Sequence, residues 1–142
     1  MIFRRMTEED LDIVAKMEKE TFSTPWSKES FLESLQKSYS YFFVAVEEKI
    51  VGYCGVHNFG GDGEITNVAV EKEWRGKHVA SEMLTYAMAQ TQKEGIEAFT
   101  LEVRRSNLPA IKLYEKLGFV QQGVRNNFYE NPIEDAIIMW KI

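Results

Sequence analysis

Glu102 and Tyr114 bring a carboxylate and a phenol from neighbouring elements, a strand and the helix that follows it. Across one cleft such a pair would serve as general base and general acid. Each also has a plainer reading. Glu102 suits a solvated strand face, and Tyr114 lies on an apolar helical stripe with Ala110, Ile111 and Leu117, where it would be a core aromatic. A second candidate is the turn Trp74-Arg75-Gly76-Lys77-His78, which joins an apolar strand, Asn67-Val68-Ala69-Val70, to a helix beginning at Val79. A helix that starts there aims unpaired N–H groups and its positive dipole end at the turn. With Arg75 and Lys77 alongside, those donors would seat a phosphate-bearing ligand. The alternative is a surface turn with solvated charges. Asn107 either contacts a ligand or caps the helix that carries Pro109.

The elements that position these residues follow from spacing and punctuation. Ile2–Arg5 is a short strand, and a Thr7 cap with acids in the first turn opens a helix that runs to about Glu20. Pro25 breaks it, and Ser27 caps a second helix with Phe31, Leu32 and Leu35 inward. Phe22 and Trp26 flank the break and either plug the core or wall a cleft. Tyr41–Val46 and Ile50–His57 form a hairpin. Phe59–Gly63 is glycine-rich but has no following helix and no Lys-Ser/Thr, so it reads as a connecting loop rather than a phosphate loop. Val79, Met83, Leu84, Ala87 and Met88 form the stripe of the next helix, which ends near Glu94-Gly95. Ala98–Arg104 is a strand, Asn107 to Gly118 a helix, and Phe119–Val124 and Asp135–Trp140 the last strands. Arg125–Tyr129 between them reads as a polar, aromatic loop. Strand–helix–strand units imply a parallel central segment, and the early hairpin implies antiparallel neighbours. The expected class is α/β with a mixed sheet. Both strand-to-helix junctions should then open at one end of the parallel strands, where such sheets bind ligands.

One domain over residues 1–142 is expected, since nothing in composition divides the chain. A net charge of −5 disfavours non-specific nucleic-acid binding and suits a cationic substrate. Glu29, Glu33, Asp62, Glu64 and Glu130 could line the entrance for one. The single cysteine, Cys54, sits in the apolar run IVGYCGV and reads as a core residue. No signal-peptide pattern or membrane-length apolar run is seen, so a cytoplasmic protein with no membrane partner is expected. His57, His78 and Cys54 do not make a zinc set, so no metal is expected.

The runs FSTPWSKESF, VAVEKEWRGKHVASEML, LEVRRSN, AIKLYEKLGF and RNNFYENPIEDAIIMWKI resemble the GNAT superfamily of acetyl-CoA-dependent N-acetyltransferases. Within it they resemble the RimI branch, the ribosomal-protein alanine N-acetyltransferases. The likeness covers nearly the whole chain. It implies the GNAT fold, a mostly antiparallel mixed sheet with a central parallel pair flanked by helices. It implies acetyl-CoA as co-substrate and the N-terminal alanine of ribosomal protein S18 as acceptor, with no need of an oligomer. By resemblance Val68, Ala69 and Val70 pair with the pantetheine arm. Gly76 to Ser81 (Gly76, Lys77, His78, Val79, Ala80, Ser81) hold the pyrophosphate behind Arg75, and Asn107 binds further along. Glu102 matches the family's base and Tyr114 its acid, while Phe22, Trp26, Glu64 and Tyr129 fall at the peptide groove. The family pattern Gln/Arg-x-x-Gly-x-Gly/Ala reads here Arg75-Gly76-Lys77-His78-Val79-Ala80, so His78 replaces a glycine. A positive φ there would strain the backbone. Two other readings stand beside this one: acetylation of a small amine, and a non-catalytic acyl-CoA-binding module.

Overall fold

A computed structural model describes all 142 residues. The elements are β1 (Ile2–Arg5), α1 (Leu11–Thr21), α2 (Lys28–Leu35), β2 (Ser40–Glu47), β3 (Lys49–Phe59), β4 (Asp62–Val70), α3 (Val79–Gln92), β5 (Ala98–Arg104), α4 (Leu108–Lys116), β6 (Val120–Tyr129) and β7 (Glu134–Lys141). They build one seven-stranded sheet in the order β1-β2-β3-β4-β5-β7-β6. Only β4 and β5 run parallel; every other neighbour is antiparallel. This is the mixed sheet with a central parallel pair expected from the strand–helix–strand order.

The period of two in β2 divides the core. Phe43 and Ala45 turn to one face and join Met83, Leu84, Ala87 and Met88 of α3, with Leu101, Val103 and Tyr114. Phe42 and Val44 turn to the other and join Leu11, Val14 and Met17 of α1, Phe31 of α2 and Tyr53. Each large side chain removed from water contributes about 1.5–3 kcal/mol, so both layers are needed to hold the sheet. α1 and α2 lie against β2, β3 and β4, and β6 beyond them stays exposed along nearly its whole length.

The parallel pair is short, and this shapes the site. β4 and β5 are in register only from Asp62↔Ala98 to Ile65↔Leu101, although both strands continue. At that point β4 also carries a bulge. Val56 opposes Ile65 and Cys54 opposes Val68, so Thr66 and Asn67 together face Gly55. A bulge bends its strand and raises the local twist. Gly55 permits it: a Cβ there would meet the Phe42 ring at 2.4 Å and Thr66 Oγ1 at 2.7 Å. Beyond Ile65 and Leu101 the two strands part. The β5-facing edge of β4 from Thr66 to Val70 has no strand partner.

Three sequence expectations need correcting. Arg125–Tyr129 is the end of β6, not a loop, although its register slips between Arg125 and Tyr129 and Asn127 has φ +53°. β4 begins at Asp62, well before Asn67. α3 stops at Gln92, and Gly95 follows in a turn with φ +95°.

Candidate active site

The opening between β4 and β5 is lined from both sides. Leu101 and Val103 point into the α3–α4 core, so period two turns Glu102 to the opposite face. Glu102 is the first residue of β5 past the last paired position. Its side chain is 22% exposed, and its Oε2 lies 3.4 Å from Arg125 Nε. That oxygen is buried and has no hydrogen-bond partner. A carboxylate with an open lone pair at the fork of two strands can take a proton from a group brought to it.

Glu64 and Tyr129 border the same place. The Glu64 carboxyl is held above the usual carboxylate range, first by burial and then by the charge of Glu102, while Arg125 works against both. Burial pushes the Tyr129 phenol up to about 12, with Glu102 adding to the shift and Arg104 opposing it. Arg104 stacks over the Tyr129 ring at 4.5 Å and donates from Nη1 to Glu134 Oε1 (3.2 Å) and the Pro132 carbonyl (2.9 Å). These bonds tie the end of β5 to the β6–β7 turn.

Tyr114 takes the core position that its apolar stripe implied. It is buried against Phe119 within the α3–α4 core, with ring centroids 6.0 Å apart. Burial raises its phenol pKa, with smaller contributions from Tyr129 and Cys54. A phenol held in its neutral form keeps a proton to give.

The break between α1 and α2 carries the other two aromatic candidates, Phe22 and Trp26. Trp26 packs on Phe31 (5.2 Å) and Phe42 (6.2 Å) and is half-buried, whereas Phe22 is exposed. Phe22 therefore does not plug the core. The backbone N–H of Trp26 donates to Glu18 Oε2 at 3.0 Å. Glu18 is only 2% exposed and has no cation beside it. Its Oε1 accepts from the Tyr53 hydroxyl at 2.6 Å and from Asn67 Nδ2 at 3.3 Å. Three donors thus replace water around a buried carboxylate. Glu18, Tyr53, Asn67 and Arg125 were not marked as site residues by sequence. For Glu18 the one available signal was an acid next to Met17 on the inner stripe of α1.

On the α3–α4 side, Val68, Ala69 and Val70 carry the unpaired edge of β4. Backbone N–H and C=O groups on such an edge suit an amide-bearing chain laid alongside. The edge leads to the turn before α3. There Arg75 Nε donates to the Val70 carbonyl at 3.0 Å, which ties the turn to the strand end. Lys77 sits over the Trp74 ring at 5.2 Å. Gly76 has φ +75° and His78, the residue before α3, has φ +66°. His78 thus stands in left-handed backbone, the condition under which a side chain at that place of the motif is strained. The first amides of α3, from Val79 to Ser81, face the turn without helical partners, so the donor set fits a pyrophosphate. The Ser81 hydroxyl is already committed to the His78 carbonyl (3.0 Å). Asn107 caps α4, its Oδ1 accepting from Ala110 N–H at 3.3 Å. No group of three or more His, Cys, Asp or Glu is placed to hold a metal. No helix is long and apolar enough to cross a membrane.

The Acetyltransferase (GNAT) family pattern matches residues 11–119. The chain is 37% identical over 139 residues to a Bacillus subtilis (strain 168) protein that carries the provisional name ribosomal protein bS18-alanine N-acetyltransferase. The match covers 96% of this chain and 92% of that one. It is 30% identical over 132 residues to the ribosomal protein bS18-alanine N-acetyltransferase of Escherichia coli (strain K12), covering 92% and 89%. The crystal structure of the ribosomal-protein-S18-alanine N-acetyltransferase from Escherichia coli superimposes with a TM-score of 0.89 at 27% identity, over 99% of this chain and 92% of that one. The parted parallel strands, the free edge of β4 and the donor-rich turn are thus accompanied by a family match over most of the chain, and the chain belongs to the GNAT family of acetyltransferases.

Proposed function

We propose that residues 1–142 form one catalytic domain that transfers acetyl from acetyl-CoA to the N-terminal α-amine of a protein, the N-terminal alanine of ribosomal protein S18. The observation that carries this is the fork of β4 and β5. It sets Glu102, with a free buried oxygen, beside an unpaired strand edge on one side and a walled groove on the other. The names of the relatives support the choice of acceptor.

Acetyl-CoA supplies an activated thioester, and the chain's residues do the rest. Val68 to Val70 and the turn from Arg75 to Ser81 orient the co-substrate, and Asn107 holds it further along. Phe22, Trp26, Glu64 and Tyr129 receive the peptide. A protein α-amine has a pKa of roughly 8 and is mostly protonated at neutral pH. Glu102, directly or through water, takes the proton that frees the amine. The amine attacks the thioester carbonyl in a ternary complex, with a β4 backbone N–H polarising the oxygen. The N–C bond forms, the C–S bond breaks, and Tyr114 gives its proton to the departing thiolate. Each proton transfer is typically worth ~10²–10⁴-fold. No covalent enzyme intermediate is required, and Cys54 is fully buried with its thiol pushed up to about 12 by desolvation, unsuited to attack. The enzyme acts as a cytoplasmic monomer, without nucleic-acid or membrane partners.

The test is acetyl transfer to a synthetic S18 N-terminal peptide beside the same peptide with a blocked α-amine and an internal lysine. Acetylation of the free α-amine alone is expected. Transfer to the lysine peptide, or only to small amines such as polyamines, would overturn the assignment of the acceptor. Binding of acetyl-CoA without turnover on any amine would support the non-catalytic module instead.

A further inference from the structure

Asn67 combines two features that the mechanism above leaves unused. Its residue is 5% exposed, and its Oδ1 is buried without a hydrogen-bond partner. A buried amide oxygen left unpaired is costly and rare. The orientation of the carboxamide is not free. Glu18 is a carboxylate that only accepts, so Nδ2 must face it, as the 3.3 Å contact shows. Glu18 is in turn fixed by Tyr53 and by the Trp26 amide. Oδ1 is therefore held pointing away from α1.

The register places the residue that carries it. Asn67 is the second residue of the β4 bulge, two positions past the last β4–β5 pair, Ile65↔Leu101, with Thr66 between. Glu102 is the residue directly past that pair on β5. Asn67 turns to the α1 face, where it meets Glu18, and Glu102 turns to the same face, away from the α3–α4 core. An acceptor and a base thus flank one fork from opposite strands.

We propose that Asn67 Oδ1, oriented by Glu18, accepts the N–H that the substrate amine keeps through the reaction, opposite the N–H that Glu102 removes. This rests on the acetyl transfer proposed above and adds a second anchor to the amine. A neutral primary amine carries two N–H bonds. Glu102, having passed the ammonium proton on to solvent, takes one of these two as the N–C bond forms, and the other stays on the product amide. With both held, the lone pair has one direction left, towards the thioester carbon. The residue selects primary amines, because an N-methyl group would replace the N–H that Asn67 receives. Glu18 acts as a positioning residue: it fixes which atom of Asn67 faces the fork.

The experiment compares an S18 N-terminal peptide with the same peptide beginning in N-methylalanine, in the wild type, Asn67→Ala and Asn67→Ser. Serine keeps a small hydroxyl within water-bridging reach of Glu18 but presents no amide oxygen to the fork, so this variant protects the fold. The wild type should prefer the primary amine in kcat/KM by roughly ten- to hundredfold. In both variants the preference should fall to about threefold or less, with the melting temperature of Asn67→Ser and its Kd for acetyl-CoA unchanged. Glu18→Gln, which replaces a pure acceptor and frees the Asn67 amide to turn over, should lower the preference part of the way. The rate on the unmethylated peptide tests the function, and the ratio between the peptides tests Asn67. If S18 is not the acceptor, the same primary and N-methylated pair of the accepted amine takes its place. A wild-type-like preference in Asn67→Ser would overturn the proposal.

Discussion

The two ends of the β4–β5 pair are built to opposite rules. At the closed end Asp62–Ile65 and Ala98–Leu101 are laddered together, and Gly63 is pressed so closely against Phe99 and Ile96 that a Cβ would meet them at 2.9 and 3.0 Å. At the open end the ladder stops, one edge of β4 is left bare, and Asn67 Oδ1 and Glu102 Oε2 lie buried without hydrogen-bond partners, the latter facing only the Arg125 charge. The first arrangement satisfies its groups internally and supports the fold. The second leaves hydrogen-bonding capacity that a ligand can fill. Polar groups buried without partners cost stability, so the closed end and the two core layers must offset the open one.

Variants can break this contrast. Tyr114→Phe removes the hydroxyl proposed as general acid and keeps the ring against Phe119. It should lower kcat by ~10²–10⁴-fold while the melting temperature holds; equal losses in rate and stability would make Tyr114 a core aromatic only. Gly55→Ala attacks the bulge that separates the ends. Its methyl collides with Phe42 and Thr66, and overpacking of this kind should cost about 3 kcal/mol, read by urea unfolding. Asp10→Ala lies far from the fork. It removes the two bonds from Arg4 (2.8 and 2.9 Å) and that from the Thr7 N–H (2.8 Å), and should cost about 2 kcal/mol with kcat unchanged. The Arg4 hydrogen bonds hold the Asp10 carboxyl below its usual range. A group whose folded pKa is lowered stabilises the fold above its unfolded value and loses that contribution as pH falls through the folded one. The gap between wild type and Asp10→Ala should therefore be full at neutral pH and shrink below about pH 4. His78→Gly should have the smallest effect. It relieves left-handed backbone at φ +66° and should stabilise by about 1 kcal/mol, with acetyl-CoA binding equal or tighter.

The same contrast explains what could be read from the sequence. The helices announced themselves locally: Ser27 and Asn107 cap as placed, Pro109 sits in the first turn, and Gly118 stops α4 with φ +99°. The strand-turn-helix at Val70 to Val79 was legible through motif resemblance, which also marked Glu102 as the proposed base. The fork was not, because it depends on where the β4–β5 ladder ends, and two strands separated by α3 do not state their register. Nothing in the sequence of α1 beyond its place beside Met17 set Glu18 apart from the other acids. Its burial depends on Tyr53 and Asn67, which are distant in sequence. Arg125–Tyr129 reads as a loop because it is an edge strand with both faces largely exposed, so no apolar alternation marks it.

The most direct measurement is Glu102→Gln, assayed for acetyl transfer to the free α-amine of the S18 peptide, for acetyl-CoA Kd and for melting temperature on one preparation. Glutamine keeps the shape but cannot take the proton. A fall in kcat/KM of ~10²–10⁴-fold with the other two values unchanged is the predicted result. Transfer within about threefold of wild type would contradict the account, since the fork would then hold the reactants without acting on them.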